Sequence, residues 1–150
     1  MLKPMIVRRG ETDALNVLGA EVRFVCPGQV TGKSFSLMEN VLPRDAGPPP
    51  HTHDWAEAYY VISGAVEFEI AGERALVTAG DFAYTPAGTV HGFKGASDEP
   101  ARMLVFDAPA HAETFFREVD QAVRDIPADL PKMPAIGAKH GIHFLPPAAA

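Results

Sequence analysis

Between Gly47 and Gly64 the chain reads Gly-Pro-Pro-Pro-His-Thr-His-Asp-Trp-Ala-Glu-Ala-Tyr-Tyr-Val-Ile-Ser-Gly, which sets His51, His53 and Glu57 within seven residues. Side chains two apart on an extended strand share a face, so His51 and His53 project to one side and Thr52 to the other. Two imidazoles then converge on one point. Glu57 opens the next apolar run, and a bend at Asp54-Trp55-Ala56 swings its carboxylate toward that point. A second stretch, Gly80 to Gly95, carries turn chemistry at Pro86-Ala87-Gly88 and then His91 at the head of a short strand. His91 is the expected fourth ligand. Three histidines and a glutamate suit one divalent transition metal, Fe, Mn, Ni, Co or Zn, with positions left open for water, dioxygen or substrate. The ligand set alone does not choose among those ions.

The elements that must hold these side chains are short strands. Alternation and turn residues place them over residues 21–26, 34–42, 65–71, 74–78, 82–85 and 101–107, the last apolar enough to be buried on both faces. Pro48-Pro49-Pro50 cannot donate backbone hydrogen bonds and stays extended, a stiff spacer leading into His51. This succession of hairpins describes an all-β barrel or sandwich. Over 110–124 the period changes: Phe115, Phe116, Val119, Ala122 and Val123 follow helical spacing, which predicts one amphipathic helix on the outside of the barrel. Pro127, Pro131, Pro134, Pro146 and Pro147 make the tail from 126 to 150 mostly irregular, with a short strand at 142–145.

Parity also nominates a pocket. Tyr59 stands two after Glu57 and Phe93 two after His91, while Phe68 shares a face with Val66 and Ile70, so all three aromatics should look inward. They would line an apolar cavity suited to a flat organic small-molecule substrate, although inward aromatics of a small barrel first fill space. His111, His140 and His143 fit no such spacing and are read as solvated or packing groups.

A chain of 150 residues is one domain, large enough to bury a core without staples. The 13 glycines and 14 prolines agree with many turns. A net charge of −6 with no cluster of Lys and Arg argues against nucleic acid or an anionic membrane as partner. The single cysteine, Cys26, forms no internal disulfide and reads as a small strand hydrophobe in a reducing compartment. No run is long and apolar enough to span a bilayer, and no cleavable leader pattern opens the chain, so the cytoplasm is the expected location.

The two stretches resemble the paired motifs of the cupin superfamily, small single-domain type. His51, His53, Glu57 and Gly64 match the first motif, and Gly80, Pro86, Gly88 and His91 match the second. Two turn positions depart from it: Asp45 and Gly95 stand where the superfamily carries Gly and Asn. The wording Gly-Pro-Pro-Pro-His-x-His is closer still to quercetin dioxygenase-like cupins. The resemblance implies a double-stranded β-helix (jelly-roll) barrel over 35–107, N-terminal strands in 1–34 packing on the barrel or on a partner subunit, and a helix with irregular tail in 108–150. It implies a homodimer. It also implies a metal-dependent dioxygenase acting on a flavonoid-like, phenolic or enol compound, with Glu57 either a plain ligand or a general base. Because the fold hosts several chemistries on nearly one ligand set, a non-redox isomerase or decarboxylase and a non-catalytic metal- or ligand-binding module stay open beside it.

Overall fold

In the computed structural model, which describes residues 1–146, the chain folds into two facing antiparallel sheets. The strands are β1 (Leu15–Val17), β2 (Ala20–Cys26), β3 (Ser36–Leu42), β4 (His51–His53), β5 (Ala56–Ser63), β6 (Ala65–Ile70), β7 (Glu73–Thr78), β8 (Phe82–Thr85), β9 (His91–Gly95), β10 (Ala101–Ala108) and β11 (Ile142–Phe144). One sheet has the order β1-β2-β3-β10-β5-β8 and the other β11-β4-β9-β6-β7. The chain crosses from one sheet to the other at Asp54-Trp55, so β4 and β5, neighbours in sequence, face each other across the barrel. This is the all-β jelly roll expected of the motifs.

The period of two is visible in burial. Ser36, Met38, Asn40 and Leu42 of β3 point inward while Leu37, Glu39 and Val41 stay half-buried, and Ala101, Met103, Val105 and Asp107 of β10 do the same. Tyr59, Phe68 and Phe93 pack as a cluster with ring centroids 5.0–5.5 Å apart. Edge-to-face and offset contacts at that spacing contribute beyond simple burial.

β1 lies on β2 of its own chain, turned through Leu18-Gly19 with Val17 opposite Ala20. Helix α1 (Glu113–Ala122) buries Phe115 and Val119 and is tied to β1 where the Asn16 amide donates to Asp120, 2.8 Å away. Its lead-in is fixed by buried Asp107, whose Oδ2 accepts from the backbone amides of His111 and Ala112 at 2.9 and 3.0 Å.

The tail departs from expectation. In place of a mostly irregular segment, Leu130–Lys132 forms a 3-10 turn and Met133–Lys139 a second helix, α2, with Met133, Ile136 and Gly137 buried. Pro134 falls in the first turn of α2, where backbone amides have no intrahelical acceptor, so it starts the helix and does not interrupt it. Lys139 and His140 then reach Glu118 on α1. The final strand is β11, one residue shorter than expected; Pro147 and the terminal alanines lie outside the described residues. No helix of the described residues is long and apolar enough to cross a membrane.

Candidate metal centre

β4 and β9 put His51 directly opposite His91 in register, and His53 follows on the same face of β4. The three buried imidazoles each offer one nitrogen, and these lie within 4.8 Å of one another. Their ring centroids are 4.3 Å (His51–His91), 4.9 Å (His53–His91) and 5.5 Å (His51–His53) apart.

Each ring is oriented by a carbonyl two residues away. His51 Nδ1 donates to Pro49 O at 2.8 Å, His53 Nδ1 to Trp55 O at 3.0 Å and His91 Nδ1 to Thr89 O at 2.8 Å. A carbonyl oxygen only accepts, so the proton must sit on Nδ1, and Nε2 is left with its lone pair. Nε2 of His53 and of His91 are buried without any hydrogen-bond partner. A side chain that fixes its tautomer through a second contact and aims an unpaired lone pair at its neighbours is built as a ligand.

Glu57 enters from the opposite sheet. Its Oε2 accepts from the Tyr59 hydroxyl at 2.6 Å and its Oε1 from the Trp55 indole at 3.2 Å. Oε1 also lies 2.8 Å from His53 Nε2, yet His53 Nε2 makes no hydrogen bond. Two lone-pair atoms so close repel in a buried setting unless a cation satisfies both. Donors bound side by side at metal–ligand lengths of about 2.1 Å stand roughly 3 Å apart, which this separation fits. The three histidines therefore suit a divalent ion, while Glu57 approaches the centre from the His53 side and is not one of the mutually close group.

Charge agrees with that reading. Burial, reinforced by neighbouring His91, pulls His51 down to about 4, and burial lowers His91 as well, so both are neutral near pH 7. For Glu57 burial alone would raise the pKa, but the hydrogen bond from the Tyr59 hydroxyl favours the charged carboxylate and helps to bring it below the ordinary value. His51 and His91 thus present neutral imidazoles beside one carboxylate.

A narrow cavity runs away from this centre, in which the centre of a water-sized sphere can roam about 40 Å³. His51, His53 and Glu57 line one part of it, and Phe93, Phe115, Phe116 and Phe144 are among its walls. Phe93 is thus where parity placed it. Tyr59 and Phe68 are not in the wall: both are fully buried behind it, Tyr59 holding Glu57 and Phe68 filling space between Tyr59 and Phe93. His111, His140 and His143 stay out of the cluster; His140 joins Glu118 and Thr114 between the helices.

Sequence reasoning passed over two groups at the site. Trp55, the one tryptophan, stacks flat on His53 at 4.0 Å as well as bonding Glu57. Its position between two ligand candidates was the available signal. Asn40 lines the cavity from β3, and its signal was parity, since it alternates with Met38 and Leu42.

Comparison with known proteins agrees with the geometry. Residues 37–107 match the family model described as a cupin domain. The chain is 33% identical over 93 residues to the quercetin 2,3-dioxygenase of Bacillus subtilis (strain 168), a stretch covering 61% of this chain but only 27% of that protein. It is 23% identical over 142 residues to the polyketide synthase CurC of Streptomyces cyaneus, covering 93% of this chain and 92% of that one. Among solved structures, the polyketide cyclase RemF from Streptomyces resistomycificus superposes with a TM-score of 0.62 at 23% identity, over 71% of this chain and 80% of that one. The jelly-roll barrel carries its three inward histidines on adjacent strands of one sheet, an arrangement compatible with a metal site. The chain is a small member of the cupin superfamily.

Proposed function

We propose that this cupin is a metal-dependent enzyme acting on a phenolic or enol small molecule, with His51, His53, His91 and Glu57 as ligands and a dioxygenase as the leading reaction. The observation that carries it is the set of imidazoles whose Nδ1 atoms are spent on backbone carbonyls, leaving Nε2 of His53 and His91 unpaired beside an aromatic-walled cavity that His51 and His53 line. A bound divalent ion supplies a Lewis acid and a template there. Glu57 balances its charge; with both oxygens engaged and its pKa lowered, it is a weak base and better suited to ligation than to proton removal. The apolar walls exclude water and select a flat ring compound.

A second reading, non-redox ring chemistry, is supported by the polyketide synthase relative, which matches over nearly its whole length, whereas the dioxygenase relative matches over about a quarter of its own. A phenolic or enol substrate is compatible with both. Oxygen uptake by protein loaded with Fe, Mn, Ni or Co, assayed against a phenolic panel, separates them. Metal-dependent uptake abolished in His51→Ala supports the dioxygenase; equal turnover under strict anaerobiosis supports the second reading; bound metal without turnover in either atmosphere sinks both.

A further inference from the structure

Asn40 sits on the inward face of β3, between Met38 and Leu42 on its own strand and opposite Val22 and Met103 on the flanking strands. All four neighbours are buried and apolar. Asn40 is 3% exposed, and its Oδ1 has no hydrogen-bond partner. Asparagine is disfavoured inside strands, and a buried amide left unpaired lowers stability, so packing offers no reason for it where Val, Ile or Leu would serve.

The other buried orphan atoms among the described residues have visible explanations. Nε2 of His53 and His91 belong to the metal centre, while Glu39 Oε1 and Arg102 Nε belong to side chains that pair with each other at 2.9 Å. Asn40 remains. It lines the same cavity as His51, His53 and Glu57, and among the described residues no other polar side chain does. Register fixes its place: Asp107 pairs with Glu57 on one side and Ser36 on the other, so Ser36 is level with Glu57. Asn40 is then four residues further along β3, about 13 Å at the rise of a strand.

We propose that Asn40 determines specificity, its amide hydrogen-bonding a hydroxyl or carbonyl carried by an elongated, otherwise apolar ring compound at the end remote from Glu57. An amide suits that role because it donates and accepts, turns about its last bond, and brings no charge to desolvate. A ligand lacking the remote group leaves the amide unpaired, which is why such a contact discriminates strongly in a dry site. The inference rests on the proposed function in taking this cavity as the substrate's.

The test titrates zinc-loaded protein with 2-naphthol and with 2,6-dihydroxynaphthalene by calorimetry. Wild-type protein is expected to bind the diol at least about tenfold more tightly than the mono-ol. Asn40→Leu should bring the two affinities within about twofold, while its Tm, measured without probe, stays level or rises because the orphaned amide is gone. Asn40→Val repeats the comparison without added bulk. No diol preference in the wild type, or a preference unchanged in both variants, overturns the proposal. So does a lowered Tm with both probes weakened alike, which would mark Asn40 as structural. If 2-naphthol binds His51→Ala as tightly as wild type, the metal-centre reading fails separately, and the diol preference still decides Asn40.

Discussion

Each imidazole at the centre owes its orientation to a carbonyl two residues along its own chain, and the burial that hides His51 and His91 makes those two rings reluctant to take a proton. His51 shows the consequence. In the unfolded chain it protonates near the ordinary histidine value of about 6.5, whereas in the fold it does so at about 4. Above pH 6.5 neither state is protonated and the fold bears no penalty; as pH falls from 6.5 toward 4 the unfolded chain gains a proton that the fold refuses, so stability declines. The loss is on the order of 3 kcal/mol. Urea midpoints of metal-stripped protein measured from pH 7.5 to 4.5 should fall accordingly, and His51→Gln should fall less over that window. Equal slopes in the two proteins would contradict a buried, neutral His51.

At the level of elements, the centre depends on how the loop before β4 is held against β9. Asp45, where the superfamily motif has a glycine, adopts a φ of 67°, the left-handed region that a short polar side chain tolerates. Gly95 departs from the motif for a different reason. A Cβ there would lie 2.2 Å from Pro43 O and 2.6 Å from Leu42 O, both backbone atoms. Its own amide donates to Ala46 O and its carbonyl accepts from Asp45 N, each at 2.9 Å. Gly95→Ala must therefore push residues 43–46 outward, and with them the proline spacer that leads to His51. We expect a loss of about 1–3 kcal/mol, as for overpacking, read as a lower urea midpoint with unchanged slope. Wild-type stability in this variant would show that the loop yields freely.

For the molecule as a whole, the outer face of the six-stranded sheet is the conspicuous surface. Tyr60 lies opposite Phe82 in register, Tyr84 opposite Ala58, and Phe106 opposite Ala58 from the other side, with Phe35 5.7 Å from Phe106. Tyr60, Ile62, Phe82, Tyr84 and Phe106 are all exposed. A contiguous apolar face of this kind marks an interaction surface. The homodimer proposed from the sequence resemblance would bury it. Light scattering behind size exclusion should return twice the chain mass of 16.1 kDa, and Phe82→Glu should shift the protein to monomer. A wild-type monomer at micromolar concentration would refute the dimer.

Local chemistry was readable in the chain itself. Parity placed His51 with His53, turn residues delimited the strands, and helical spacing announced α1, because each rests on a period of two or 3.6 that neighbouring residues impose on one another. Meeting points across the barrel were not readable. Asn40 and Glu57 share a cavity only through the pairings of β3, β10 and β5; Tyr59 and Phe68 left its wall because the interior had to be filled behind Glu57; and Pro134 begins α2 only because Met133 and Ile136 found a surface to bury against. Sequence sets which face a side chain takes on its own element, whereas the packing of distant elements decides what that face meets, and chemistry needs the second as much as the first.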